Sequence, residues 1–547
     1  MNNLIFHKKN ETKTSSFPMG FSKIIQLLFY IFVFCFLLSH SYSYLDPDFG
    51  WHLKVGEQIV NEKAMPSYDY YNWTLEGKKW VDHEWLINVV CFWIYKNFGY
   101  LMVNIFFALI ILLTLFILNI FTQKYFLKEK SDLFFIMFFQ MLGVLAMSPH
   151  QGVRMQEITI LNLLLLLIII FHYEKNKKTT ILFWLLPLFY FWACLHAGFL
   201  VGIFIMFFWL AIKIIEIIIS KHKIAEFVNL DNKFNLKNIL TFFYFAFSAV
   251  LITLFTPYGL KLYKFLWGYG NSFYMSHIQE WLPFFSLPIS YWQLLYAIFV
   301  AMVIILLIFD AIKKEKKISL WNLLAALFFI VLAFKSKRHF PLLFIVSFPM
   351  VIKFFVDSFD FKEIFKKFLS QFLFIKIYLI IAFLLVILSQ LVKTNFTSDP
   401  FLSFNNNYPQ EATIFLKNNP QYNDLKFFNP YNWGGYLIWT LPERKLFIDG
   451  RLPQYAFADH TFLEEYFEFF DKEKVKKKLN EYDIQLVLLD IKEKKYKLNW
   501  FEKYFLSFNE EKINQNVNEN YLRDYLNNSS EWKKIYSDNI SIVYIKK

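Results

Sequence analysis

The stretch "IIQLLFYIFVFCFLLSHSYSYLDPDFGWHL", residues 24–53, joins an apolar run to a cluster of two carboxylates, a tryptophan and a histidine. The run extends from roughly Phe21 to Leu38, close to the roughly 20 residues a helix needs to cross a hydrocarbon core. A cleaved secretory signal would have a shorter apolar core followed by small residues at the cleavage site. No A-x-A pattern follows here, so the segment reads as a retained anchor. A polar, acidic cluster directly after a span has to sit at a membrane surface.

Working outward, the same apolar signature recurs. Eleven spans are predicted, at 21–42, 100–121, 132–148, 156–172, 180–196, 198–219, 238–256, 290–310, 319–334, 339–356 and 371–392. The connectors 122–131, 173–179, 220–237, 311–318 and 357–370 are rich in lysine. Under the positive-inside rule they alternate as cytoplasmic loops, with the N-terminus inside and the C-terminus outside. The formal charge of +13 is spread through these connectors, so a nucleic-acid partner is set aside. Cys35, Cys91 and Cys194 lie in or beside apolar segments without CxxC spacing, which points to packing and not to disulfides or thiolate metal sites.

This topology places every unusual polar motif on the outer side: "DPDFGWHL", "WVDHEW", "SPHQGVR", "CLHAG", "TPYGLKLY", "HIQEW" and "KSKRHF". His52, His83, His150, His196, His277 and His339 share that face. Beyond residue 393 the apolar runs cease. "LKFFN", "GGYLIW", "KLFIDGR", "IQLVLLD" and "ISIVYIKK" read as strands, alternating with helical stretches. The predicted fold is mainly α: a transmembrane helical bundle over 1–392 with a first outer loop at 43–99, then an extracytoplasmic α/β domain over 393–547.

Within the first loop, Asp46 is a good N-cap and Pro47 suits the first helical position, predicting a surface helix to about Asn61. Asp48 and His52 then share one face, one turn apart. Asp82 is placed to cap a second interfacial helix over 83–97 with His83 and Glu84 in its first turn. Asp48 is not needed as the cap, and an acid at a bilayer surface usually has a partner or a role. No nucleophilic serine or cysteine motif accompanies it. Transfer of a group from a lipid-phosphate donor fits: a carboxylate takes the proton of an acceptor hydroxyl while a cation neutralises the departing phosphate. Arg154, Lys261, Lys337, Arg338 and His339 are the candidates for the phosphate side. Asp48, Asp82 and His83 are alternative ligands for a divalent cation, Mg or Mn, although their spacing matches no specific metal motif.

A short tail, one span and a large acidic outer loop resemble the type C (GT-C fold) glycosyltransferases, integral membrane enzymes that use polyprenyl-phosphate-linked sugars. More closely, the chain resembles a group of bacterial multispan proteins sharing "DPD..WHL..G", "WV.HEWL", "LH.G", "NPYG", "EW" and "NPY.WGGYL…IDGR". The matching residues include Asp46, Asp48, Trp51, His52, Gly56, Trp80, His83, Glu84, Trp85, His196, Gly198, Tyr258, Gly259, Glu280, Trp281 and Arg338. In the C-terminal part they are Asn429, Pro430, Tyr431, Trp433, Gly434, Gly435, Asp449, Gly450 and Arg451. Gly50, Met155, Thr256 and Ala197 depart from the group's pattern, and none of these changes removes an acid or a histidine.

The resemblance implies a glycosyltransferase of the bacterial inner membrane. Its donor would be a lipid-linked sugar and its acceptor a glycan, lipid or protein. Asp48, His52 and Glu84 would be catalytic, and Arg154, His196, Glu280, Arg338 and His339 would bind substrate or phosphate. In the C-terminal motif, Gly434, Gly435, Asp449 and Gly450 suit turns, while Arg451 beside Asp449 is an alternative reader of sugar or phosphate. Two other classes compete: a transporter or flippase of a lipid-linked glycan, and a non-catalytic envelope-assembly protein.

Overall fold

The computed structural model describes residues 19–42, 45–127, 133–230, 234–268, 272–278, 280–286, 289, 291–312, 319–358, 381–382, 384–389, 391–392, 394, 396, 400–403, 407–457, 459–492, 495–518 and 520–547. Among them, seven helices are long and apolar enough to cross a membrane: Lys23–Ser41, Trp85–Tyr125, Gln156–Asn176, Phe199–Ile219, Leu236–Phe255, Tyr291–Phe309 and Lys337–Ser358. Phe135–His150, Thr179–Leu195 and Leu320–Lys335 are shorter apolar helices. The first ten predicted windows each fall on one of these elements. Most of the eleventh, 371–392, and most of the connectors 311–318 and 357–370 lie outside the described residues.

Their burial follows from helical period. In the Trp85–Tyr125 helix, Leu109, Leu113, Phe116 and Ile120 form an exposed apolar stripe, while Val103, Phe107, Ile111, Leu115 and Leu118 are buried against neighbours. An exposed stripe of this kind is disfavoured in water and at home against acyl chains. The same helix contains a sharp turn at Gly99, whose φ of 76° suits glycine alone. The turn separates the predicted interfacial helix from the predicted span.

The C-terminal region forms a four-stranded sheet of order β1-β2-β4-β3, with β1 at Phe427–Phe428, β2 at Leu486–Asp490, β3 at Trp532–Ser537 and β4 at Ser541–Lys546. The β1/β2 pair is parallel and the other two pairs are antiparallel. Two strand expectations fail. "GGYLIW" is the helix Gly434–Thr440, and "KLFIDGR" does not join the sheet. Instead, Leu446 pairs with the first outer loop, donating to Tyr71 O (2.8 Å) and accepting from Trp73 N (3.0 Å).

This pairing belongs to a wider union. Tyr42, Leu45, Phe49 and Ile87 share one hydrophobic core with Phe401, Tyr436, Leu437, Phe447 and the strands. The boundary expected at 393 therefore does not separate two independent packing units: the first loop and the C-terminal region fold together. Glycines let the two backbones approach closely. A side chain at Gly50 would overlap the Gly435 carbonyl, and one at Gly435 would overlap the Pro47 carbonyl. The departure from pattern at Gly50 is thus a packing requirement.

Candidate active site

The helix carrying the acidic cluster begins two residues later than predicted, at Phe49–Glu62. Asp48, not Asp46, takes the N-cap position, and it makes no side-chain cap bond. Asp46 accepts the Asp48 backbone N–H (2.9 Å) and turns its other oxygen to Arg154 Nε (3.0 Å). The expected roles are corrected accordingly: Asp46 is an ion-pair partner, and Asp48 is held at the helix start with its carboxyl uncommitted to capping. The cause is a cation from a distant segment outcompeting a local cap, as charge-assisted bonds do.

A cavity of about 350 Å³ lies beside this helix start. Its polar lining includes Asp46, Asp48, His52, His83, Glu84, Arg154, His196, Glu280, Arg338 and His339, with Tyr274, Gln156 and Thr159. An aliphatic wall of Ile160, Leu200, Val201, Leu266, Pro341 and Leu342 completes it. Gly450 reaches it from the C-terminal region, and a methyl group there would overlap the Asp48 carboxylate.

Two networks organise the polar lining. In the first, acids and bases alternate: Asp46 pairs with Arg154, Arg154 with Glu280, and Glu280 with Arg338 at 3.6 Å. Glu280 sits where burial alone would raise its carboxyl, but Arg154 and Arg338 outweigh that and hold it at about 2. The "EW" motif works as a unit, because Trp281 also lies under the Arg338 guanidinium at 4.9 Å. Glu280 is therefore a holder of arginines and not a group that would meet phosphate directly. Arg154 is clasped by two carboxylates. Arg338, half-exposed with one long ion contact, is the cation better placed to meet an anion in the cavity.

The second network surrounds Glu84. His52 Nε2 lies 3.9 Å from one carboxyl oxygen, and His83 Nε2 (3.5 Å) and His196 Nε2 (3.4 Å) face the other. Asn88 donates through its amide to both Asp82 oxygens (3.0 and 2.9 Å), so its carbonyl accepts from His52 Nδ1 at 2.6 Å. His52 thus carries its proton on Nδ1 and shows a lone pair to Glu84. His196 is the opposite tautomer: Nδ1 accepts from Gly198 N (3.0 Å) and bonds the Thr159 hydroxyl (2.7 Å), which itself accepts from Trp192. Its Nε2 proton points at Glu84. Burial lowers His52 to about 3 and His83 to about 4, and pushes His196 well down and Glu84 well up. Asp48 rises to about 7 through burial first and the neighbouring Asp46 charge second. The cavity therefore holds neutral histidines and a carboxyl poised near neutrality.

Several expected residues stand elsewhere. Asp82 does not line the cavity; it accepts the Glu84 backbone N–H (3.1 Å) and anchors Asn88. Among the described residues no three His, Cys, Asp or Glu side chains form a group able to hold a metal ion. Asp48, Asp82 and His83, the alternative Mg or Mn ligands, are not gathered into such a group. Lys337 bonds the Ser286 carbonyl (3.1 Å), Lys261 is exposed, and His277 stacks on Phe273 away from the cavity. His150 is buried near Trp292.

The C-terminal motif is corrected most. Arg451 bonds Asp449 Oδ1 through Nε (2.9 Å) and both Asp449 Oδ2 (2.6 Å) and Asp69 (2.7 Å) through Nη2. It lies between the Tyr71 and Trp80 rings, at 4.6 and 4.7 Å. Only 1% of its side chain is exposed, so it reads no ligand; it clamps the first loop to the C-terminal region. Asn72 adds a bond to Asp449 (2.7 Å). Asn429 secures the same segment through Phe447 N (2.8 Å) and Ile448 O (2.9 Å), and Trp433 donates to Asn407 O.

A buried ion cluster, Lys213 with Glu174 (2.6 Å) and Glu216 (2.8 Å), occupies the helix ends remote from the cavity. Thr159 and Glu174 lie on one helix, about 20 Å apart at its rise per residue.

No family model matches the chain, and no curated protein matches it. Among solved structures, the archaeal oligosaccharyltransferase AglB from Archaeoglobus fulgidus, in complex with an inhibitory peptide and a dolichol-phosphate, is similar with a TM-score of 0.49 and 12% identity. The match covers 86% of this chain and 70% of that one.

Proposed function

We propose that the chain is a membrane glycosyltransferase that moves a sugar from a polyprenyl-phosphate-linked donor to an acceptor on the outer surface. The reading includes a bacterial inner-membrane location, a cytoplasmic N-terminus and an extracytoplasmic cavity and C-terminal region. One observation carries it: a single cavity combines a carboxyl at Asp48 that makes no cap bond, two arginines and an aliphatic wall.

Each part matches a need of the reaction. Asp48, held near neutrality, takes the proton of the acceptor hydroxyl as its oxygen bonds the anomeric carbon. The bond from that carbon to the phosphate oxygen breaks, and Arg338 neutralises the charge gathering on the departing phosphate. Glu280 and Trp281 hold Arg338 in place, while Arg154 completes the ion chain. The aliphatic wall accommodates the first part of a lipid chain. His52, His196 and Glu84 form a surround in which burial disfavours the charged form of each. No step is routed through a metal.

The test is transfer from labelled polyprenyl-phosphate sugars by protein reconstituted in lipid. Wild type should transfer label and Asp48→Asn should fall by about 10²–10⁴, the usual contribution of a positioned base. Equal transfer by both proteins removes Asp48 from the chemistry. Movement of donor across proteoliposomes without transfer favours the flippase reading instead.

A further inference from the structure

The C-terminal region carries an exposed aromatic ridge that the transfer reaction does not use. In "KLNWFEKYFLSF", a single π-helical turn over Phe501–Phe505 follows Trp500. Trp500, Tyr504 and Phe505 are 70, 74 and 71% exposed. Ring packing keeps them together: Trp500 lies against Tyr504 at 6.2 Å, and Phe501 stacks on Phe505 at 4.8 Å. Patches of this kind on a folded surface mark an interaction site.

The turn is fixed in place by its one buried member. Glu502 is 3% exposed; one of its oxygens accepts Asn499 N (2.7 Å) and the other accepts Ile289 N (3.2 Å). Ile289 lies two residues before Tyr291, the first residue of the helix Tyr291–Phe309. The ridge is thereby tied to the mouth of a helix long and apolar enough to cross a membrane. That helix exposes Tyr291, Leu294, Ile298 and Ile305 along one stripe, the face that meets acyl chains. The ridge thus stands level with the end of a lipid-facing stripe. Trp, Tyr and flanking Lys are the residues that settle at the boundary between headgroups and acyl chains, and Lys503 is there, paired with Glu510 at 2.7 Å.

We propose that Trp500, Tyr504 and Phe505 insert into the headgroup boundary of the bilayer, making the C-terminal region a membrane-bound element over the cavity. This goes beyond the sugar-transfer reading and does not depend on it.

The three native cysteines are buried, so single nitroxide labels can be placed on the full chain in phosphatidylcholine liposomes. Labels go on Tyr504→Cys, on Ile305→Cys as a hydrocarbon reference and on Lys534→Cys, at an exposed strand position, as an aqueous reference. The ratio of oxygen to nickel-chelate accessibility at position 504 should be several-fold higher than at 534 and below that at 305. A ratio equal to that at 534 overturns the proposal. Dipolar broadening between labels at 504, unchanged by dilution into excess lipid, would identify a second copy as the occupant and also overturn it. Because the substituted positions are exposed, folding is checked by transfer activity or, should no transfer exist, by unchanged thermal unfolding.

Discussion

Two buried clusters of acids and bases lie on either side of Gly450, and they are built in opposite ways. Around Arg451 the bonds are short: its backbone N–H, Nε and Nη2 donate four bonds of 2.6–2.9 Å to the carboxylates of Asp449 and Asp69, and two aromatic rings flank the guanidinium. Around Glu84 the three histidine contacts run from 3.4 to 3.9 Å, the groups face a cavity, and their neutral forms prevail. Short, buried ion pairing holds a fold together, since breaking one partner leaves a buried charge without its counterion. Loose, cavity-facing contacts leave groups able to exchange protons with something that enters. Within one motif set, contact length and access distinguish cement from chemistry.

The comparison makes the two clusters separable by mutation. Asp48→Asn should abolish most transfer with little change in thermal unfolding. Arg451→Met should do the reverse in order, lowering stability by about 3–5 kcal/mol by stranding Asp449 and Asp69, with activity lost as the fold loosens; thermal unfolding in detergent measures it. If Arg451→Met unfolds like wild type but fails in transfer, the clamp reading is wrong. Gly450→Ala lies between the clusters. It should show both effects at once, about 1–3 kcal/mol from overpacking against Asp48 together with a shifted pH–rate curve.

The smallest effect is that pH dependence. With Asp48 at about 7, His52 at about 3 and His83 at about 4, the histidines stay neutral above pH 5 and the base form of Asp48 sets the limb. Transfer should rise about tenfold per pH unit below 7 and level above it. The same shift has a sign for stability. Between the ordinary carboxyl value of 3.8 and about 7, the folded chain keeps protons on Asp48 and Asp82 that the unfolded chain has released. Their contribution therefore declines as pH rises through that window and is flat above it. A pH–rate curve without a limb near 7 would detach Asp48 from the base role.

Much of the convergence in this molecule is readable in advance, because an apolar chain leaves few places for polar residues. Asp48, His52, Glu84, His196, Arg338 and His339 stand at helix ends, and the lysine pattern assigns those ends to one side. What is not readable depends on partners far away in the chain. Asp46 satisfies every local rule for a cap, yet Arg154 claims it. "GGYLIW" has the β-branched and aromatic character of a strand, but its glycines are where the Phe49–Glu62 helix needs room, so the segment coils. Asp-Gly-Arg reads as a turn from neighbours alone, and nothing near Asp69 or Trp80 announces that they enclose Arg451. Thr159 and Tyr274 carry no signal within apolar sequence, although both line the cavity.

The contact of Gly450 with Asp48 has a consequence in time. About 400 residues of synthesis separate Asp48 from Gly450, so the cavity wall beside Asp48 is absent until most of the chain is in place. A chain halted before Gly450 would hold the helices that line the cavity without its finished wall. If the proposed transfer holds, a chain that stops short of Gly450 lacks this wall and should not transfer sugar.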